Sequence, residues 1–375
     1  MNPYTGKYSE HIRNNRWKSV YYTFTPRPLK DNNFYKIDDE LASILSVANR
    51  VLGILDGMII YMPDRHNLQE LMLLKESYYS RLIDYHCCYF QEILKGISSN
   101  KTDAECFKNI KLAYNHSFGR TFSSGALSNI CSIALYGAEA EKEIQIRKTQ
   151  TFLSNVVTNL RIYNPTAPDN ILPSMADISA FLSADDSTDI LIKAALAHYQ
   201  FEMLHPYECY NGIVGRIIIS MILKNFGYEA FPYVCLSEFL YYNKNEYFDK
   251  LSSTQLSGGY ELWIKFILRG ICESAQKSIK RIKQYQEIIR QDETKIKSNK
   301  LSTNSMLAVY NYFKTYLISE ISPAAEKLGL SFNTVVKSIE RLCDMDILKI
   351  ENNRSRHRLY SYYRIMEIFA EYDRA

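Results

Sequence analysis

The residues best suited to chemistry lie in one stretch, His205-Pro206-Tyr207-Glu208-Cys209-Tyr210-Asn211-Gly212-Ile213-Val214-Gly215-Arg216. An imidazole closes one helical pattern, a short polar loop follows, and Asn211-Gly212 opens the next helix. This layout sets His205 beside the amino end of a helix, where unpaired N–H groups and the helix dipole favour an anion such as phosphate. A base next to a phosphate cradle is what phosphoryl or nucleotidyl transfer to a hydroxyl requires. Arg216, one turn after Gly212, is placed for phosphate contact, with pairing to a helix-face acid as its alternative.

The elements that must hold these residues are helical. Asp189–Leu204 carries Ile190, Leu191, Ala194, Ala195, His198, Phe201 and Leu204 on or near one face, and Ile213–Phe226 follows with Gly227 as its stop. Both are apolar enough for the centre of a bundle. Helical spacing also marks Asp38–Leu52, Leu71–Leu94, Cys106–Phe118, Phe239–Leu251 and Tyr260–Ala275. Residues 1–35 read as an extended arm stopped by Pro26-Arg27-Pro28, and Ile144–Phe152 as a short hairpin. The charge run over 273–300, which includes Arg281, reads as a solvated helix face. After a boundary at 298–302 the pattern is a helix, a second helix started by Ser322-Pro323, a turn at Gly329, a helix capped by Ser331, and two strand-like stretches. That order is the layout of a winged helix.

The chain has 375 residues, net charge +4 and 46% hydrophobic content, so a packed core is available and any nucleic-acid surface must be local. Its eight cysteines form no Cys-x-x-Cys pair, which argues against a zinc or redox motif. No apolar run of membrane-spanning length and no apolar leader stand out, which points to a cytoplasmic protein with no membrane partner. The abundant tyrosines, 30 in all, read as amphipathic core edges and interfaces. His198, His116 and His86 read as structural.

Taken together, the chain resembles the Fic family. The arm Thr25-Pro26-Arg27-Pro28-Leu29 and the helix Leu191–Pro206 carry the likeness, with the family signature His-Pro-Phe-x-Asp/Glu-Gly-Asn-Gly-Arg-x-x-Arg following. The resemblance implies a mainly α fold: a Fic-type helical bundle with a small β-hairpin flap, plus a carboxy-terminal winged helix-turn-helix. It divides the chain into 1–110 (amino-terminal arm and helical segment), 111–297 (Fic core) and 298–375 (winged helix). It implies transfer of AMP from ATP, or another nucleotide, to a Ser, Thr or Tyr hydroxyl on a protein. His205 falls on the catalytic base, and Asn211, Gly212, Gly215 and Arg216 on the phosphate pocket. Asn243 falls where the family has an asparagine near adenine, with a turn role as its alternative.

Several positions depart from the signature. Cys209 stands where the family holds magnesium through a carboxylate, Tyr210 replaces the first glycine, and Ile213 replaces the first arginine. Magnesium prefers oxygen donors, so its use is open, and no metal ligand is assigned. Losing one electrostatic stabiliser costs about 3 kcal/mol of transition-state binding. Three readings follow: weakened AMP transfer, a related transfer or hydrolysis with a different donor, or a catalytically silent nucleotide-sensing regulator.

The same resemblance places a self-inhibitory helix at Ser80-Arg81-Leu82-Ile83-Asp84-Tyr85, with an Asp84–Arg216 ion pair and an ordinary exposed acid as the competing readings. It places a target-docking flap at Lys148, Thr149 and Gln150, which would hold a protein substrate by strand addition. In the tail, Ser331, Asn333, Thr334 and Lys337 would start a recognition helix, and Arg354, Arg356 and Arg358 would sit in or beside a wing on DNA. A protein-docking or dimerising tail, and hence a homodimer, is the alternative.

Overall fold

The structure, a computed structural model, describes all residues except 1–5, 14–18, 31–34, 64, 86–88, 91, 95–103, 140–142, 155–160, 300–301, 352–356 and 371–375. His86, Arg354 and Arg356 therefore lie outside the described residues.

Two central helices carry the candidate site. Helix α6 (Ile190–Leu204) is N-capped by Asp189, whose Oδ1 accepts from Leu191 N–H at 2.8 Å, and it is buried on all sides from Leu191 to Leu204. Helix α7 (Asn211–Asn225) is buried from Ile213 through Leu223 and packs against it. Helices that are apolar all round are stable only inside a shell of others. That shell comprises α1 (Asp39–Ile60), α2 (Arg65–Asp84), α3 (Glu105–Ser117), α4 (Ser124–Tyr136), α5 (Ile171–Ser183), α8 (Leu236–Tyr242), α9 (Lys244–Ser257) and the 39-residue α10 (Tyr260–Ser298). Trp263 on α10 donates its indole N–H to the Ala195 carbonyl at 2.8 Å and fixes that helix on α6.

The arm is a hairpin, with β1 (Gly6–Arg13) antiparallel to β2 (Ser19–Pro26). Both strands fall within the arm that the sequence reads as extended. A second small ladder joins β3 (Leu153–Ser154) and β4 (Arg161–Tyr163). It lies beyond the expected hairpin at 144–152, which carries no strand. Helix α1 corrects the reading that no run could span a membrane. By length and composition it is sufficient, although Leu41, Ala48, Val51, Leu52, Leu55 and Ile59 are buried as it packs along α10.

The expected helix over 239–251 is two, broken at Asn243, and Tyr260–Ala275 runs on unbroken into the charge run. That run is not a wholly solvated face: Arg281 and Asp292 are buried. Arg281 makes two 2.8 Å bonds to Glu238 of α8, and Asp292 accepts from Tyr362 at 2.6 Å and Arg364 at 2.7 Å. Alternating charges conceal which side meets a buried partner.

The carboxy-terminal region holds α11 (Asn304–Tyr316), β5 (Ile318–Ser319), α12 (Ile321–Leu328), α13 (Phe332–Asp344), β6 (Lys349–Ile350), β7 (Tyr360–Ser361) and α14 (Tyr363–Ala370). Its three strands pair in the order β5-β7-β6. Helix α12 begins at Ile321 after Glu320, so Pro323 is its third residue rather than its first and Ser322 is not its cap. Ser331 does cap α13, accepting from Thr334 N–H at 3.2 Å. This region is tied to the core through α2, where buried Lys75 donates to the Phe369 carbonyl and faces Glu238 at 3.8 Å.

Candidate active site

His205 terminates α6 in a left-handed backbone conformation, φ 46° and ψ 61°. Its Nδ1 lies 2.8 Å from the Glu202 carbonyl, which makes Nδ1 the protonated nitrogen and leaves Nε2 with its lone pair. Burial pushes the imidazole down to about 4, with Asp84 opposing and Arg147 reinforcing the shift. The ring is therefore neutral at pH 7, in the form a base needs.

The loop from His205 to Asn211 is closed by Asn211 itself. Its Oδ1 accepts from Tyr207 N–H at 2.9 Å and its Nδ2 donates to the Tyr207 carbonyl at 2.8 Å. The asparagine side chain is thus spent on loop shape, and what it offers an anion is its backbone. The first main-chain bond of α7 runs from Val214 N–H to Tyr210 C=O, and no side chain caps the helix. The N–H groups of 211–213 precede that bond and form the positive end of the helix. Tyr210 has φ 62° where the signature has glycine. That conformation costs a non-glycine residue about 1–2 kcal/mol. Arg81 Nη1 donates to the Tyr210 hydroxyl at 2.9 Å and stacks over Tyr85 at 4.8 Å, which straps the loop to the end of α2.

The anion at that helix end is supplied by the chain. Asp84 Oδ2 sits 2.6 Å from Arg216 Nη2, and a Cβ added at Gly212 would lie 2.7 Å from the same oxygen. The carboxylate therefore rests on the bare Cα of Gly212, over the first turn of α7. Ser80 completes the clamp: its hydroxyl accepts from Arg216 Nε at 2.9 Å and its carbonyl from Nη2 at 2.7 Å. Arg216 is 2% exposed. Burial alone would weaken its charge, but Asp84, Tyr247 and Glu202 hold the guanidinium above its ordinary range. An acid at the C-terminal end of α2 opposes that helix's own dipole, so Arg216 and α7 account for its place there. In this conformation the space beside Arg216 and Gly212 is taken by the Asp84 carboxylate. Two clefts, of about 330 and 500 Å³, open elsewhere.

Other sequence candidates stand apart from this cluster. Gly215 was expected in the phosphate pocket, but its Cα faces α6. A Cβ there would lie 2.2 Å from Glu202 Oε1 and 3.1 Å from His198 Nδ1, and its carbonyl faces His198 Nδ1 at 2.9 Å. It is the close-approach residue between the two central helices. Gly215→Ala is expected to lower unfolding free energy by about 1–3 kcal/mol through overpacking, measurable by urea denaturation. Asn243 sits at the α8–α9 break with Nδ2 donating to the Phe239 carbonyl at 2.9 Å, and it lines the larger cleft with Tyr242, Lys277 and Lys280. Its amide serves the turn.

Lys148 and Thr149 are exposed and Gln150 half-buried in an irregular segment that bends at Thr149 and pairs with no strand among the described residues. Sequence reasoning missed the residue that anchors it. Arg147, buried, donates to the carbonyls of His205 at 2.7 Å, Leu204 at 3.1 Å, Thr149 at 2.8 Å and Thr166. Its own N–H bonds Pro206 C=O at 2.9 Å. A lone arginine in a polar stretch gives no sign that it will saturate four carbonyls. Also missed was Tyr247, stacked on His198 and 3.0 Å from its Nε2. In α13, Asn333 and Lys337 are exposed and Thr334 half-buried, and Arg358 is exposed after the undescribed segment.

The magnesium site is a poor match to its donors. Cys209 is exposed, and burial of its surroundings with nearby Glu208 raises its thiol pKa, which favours the protonated form. A neutral thiol is not a magnesium ligand. Among the described residues no group of three His, Cys, Asp or Glu is arranged to hold a metal.

Comparison with known proteins agrees with this geometry. Residues 127–223, which span α4 to the end of α7, match the Fic/DOC family. A Fic family protein from Desulfovibrio desulfuricans has the same fold, with a TM-score of 0.55 at 15% identity, covering 87% of this chain and 97% of that one. Residues 127–223 thus carry a Fic/DOC family domain. It is 31% identical over 87 residues to the protein adenylyltransferase fic-1 of Caenorhabditis briggsae, and 29% identical over the same length to that of Caenorhabditis elegans. Each match spans 22% of this chain and 16% of the relative.

Proposed function

We propose that this protein transfers AMP, or a related phosphate-linked group, from a nucleotide to a Ser, Thr or Tyr hydroxyl of a protein, and that the conformation described is its latched form. The observation that carries the reading is the Asp84 carboxylate seated on Gly212 and Arg216. A helix end with a buried arginine behind it is an anion site, and an internal carboxylate occupies it as a phosphate would. Similarity to protein adenylyltransferases over 87 residues supports the same chemistry.

In the transfer step His205 Nε2 takes the acceptor hydroxyl's proton as its oxygen bonds to the α-phosphorus. The bond from that phosphorus to the bridging oxygen breaks, and pyrophosphate leaves with the electron pair. Arg216 and the N–H groups of 211–213 stabilise the charge on the phosphates. No step is routed through magnesium, for which the donors are unsuited. The segment at 148–150, fixed beside His205 by Arg147, would receive the target's backbone by strand addition. The tail, through Ser331, Asn333, Thr334, Lys337 and Arg358, would recruit DNA or the target.

The test is incubation with α-labelled nucleoside triphosphates. Labelling should depend on His205 and increase in Asp84→Ala, whose Arg216 is released. Nucleotide binding without labelling in either form would instead favour the silent, nucleotide-sensing regulator.

A further inference from the structure

Behind the cradle lies a carboxyl that the transfer step does not use. Glu202 is one turn before His205 on α6 and 3% exposed, and its Oε1 has no hydrogen-bond partner among the described residues. Oε1 lies 4.0 Å from Nδ1 of His198 and Oε2 lies 4.0 Å from Nδ1 of His205. Both of those nitrogens already face backbone carbonyls, of Gly215 and of Glu202 itself. The carboxyl therefore acts on His205 through its field rather than through a bond. It fits against α7 only because residue 215 is glycine.

A buried carboxylate without donors is costly, so such a group keeps its proton unless a cation faces it. Burial pushes Glu202 up to about 8, Arg216 pulls it down, and Asp84 pushes it further up. The groups around it are Arg216 from α7, Asp84 from α2, Tyr247 from α9, Tyr163 from β4 and the two histidines of its own helix. Arg147 acts on His205 from the loop. Of those facing Glu202, Arg216 and Asp84 bear full charges, and they are the two halves of the latch. While Asp84 sits on Arg216, its charge offsets part of the guanidinium's pull on Glu202. Any anion in the place of Asp84 has the same effect.

We propose that Glu202 is a proton switch that reads the charge on Arg216. It holds a proton while an anion, the Asp84 carboxylate or a phosphate in its place, sits on Arg216, and it releases that proton to water when Arg216 is bare. Released, the carboxylate 4.0 Å from Nδ1 draws His205 toward its protonated form. Protonated, it leaves Nε2 free, so the base is ready when the cradle is filled. Glu202 is on this view a positioning residue, and its role rests on the reading of His205 as base and Asp84 as latch.

The test is NMR titration of the full chain with ¹³C-carboxyl glutamate and ¹⁵N-histidine, the Glu202 signal being assigned by its loss in Glu202→Gln. In Asp84→Ala the Glu202 pKa should fall by about one unit or more relative to wild type. His205 should titrate about one unit higher in Asp84→Ala than in Asp84→Ala/Glu202→Gln. Inorganic triphosphate added to Asp84→Ala should return Glu202 to its wild-type range. Identical Glu202 titrations in wild type and Asp84→Ala, or identical His205 titrations in the single and double variants, would overturn the switch. Failure of triphosphate to bind would count against the phosphate cradle, while the ligand-free comparisons still decide the switch.

Discussion

Replacing His205 by alanine is expected to lower label transfer by about 10²–10⁴-fold in the Asp84→Ala background, the span that a positioned base contributes. The expectation follows from three features of the ring. Its Nδ1 faces the Glu202 carbonyl at 2.8 Å, so Nε2 is the reactive nitrogen. Burial holds it neutral well below pH 7. Arg147 fixes the backbone turn that aims it by donating to the carbonyls of Leu204, His205 and Pro206. Alanine removes the ring and with it the proton acceptor. A variant that labels its target within two-fold of the parent would remove His205 from the mechanism, whatever the nucleotide.

The second large effect concerns stability and lies away from the pocket. Glu238 is 1% exposed and faces Arg281 at 2.8 Å, Lys277 at 3.5 Å and Lys75 at 3.8 Å. Burial alone would raise its carboxyl, but the bond to Arg281 and the charges of Lys75, Arg281 and Lys277 hold it below the usual carboxylate range. Glu238→Gln would remove the carboxylate that Arg281, Lys277 and Lys75 share. Removing one partner of a buried pair costs about 3–5 kcal/mol. Urea denaturation should show a correspondingly lower midpoint with unchanged slope. Because Lys75 also bonds the end of α14 and lies on the helix that carries Asp84, the loss should be felt in both the tail and the latch. A change below about 0.5 kcal/mol, the range of ordinary surface substitutions, would show that this network is not a structural tie.

Much of the site could be read from residue order because its parts are close in sequence. His205, Asn211, Gly212 and Arg216 lie within twelve positions, and the switch from one helical pattern to the next fixes their relation. The central helices were equally legible, since α6 and α7 are rich in apolar residues at helical spacing. What escaped depends on packing between distant segments. Glu202 and His198 read as ordinary members of a helix, and only their contact with Gly215 of the next helix makes a nest for a carboxyl. Asn243 and Gly215 matched a family position by alignment, but the fold spends one on a turn and the other on helix contact. Arg281 and Asp292 looked solvated because polar surroundings in sequence say nothing about partners 43 and 70 residues away. The short ladder at 153–163 was misplaced because two- and three-residue strands carry no periodicity.

The most direct test is calorimetric titration of ATP into wild type, Asp84→Ala and Asp84→Ala/Arg216→Ala. If the carboxylate is a stand-in for phosphate, its removal should raise affinity about ten-fold or more, since the latched form withholds the competent state. The further loss of Arg216 should abolish that gain. Equal affinity in wild type and Asp84→Ala, or tight binding that survives without Arg216, would contradict the assignment of this helix end as the nucleotide's phosphate site.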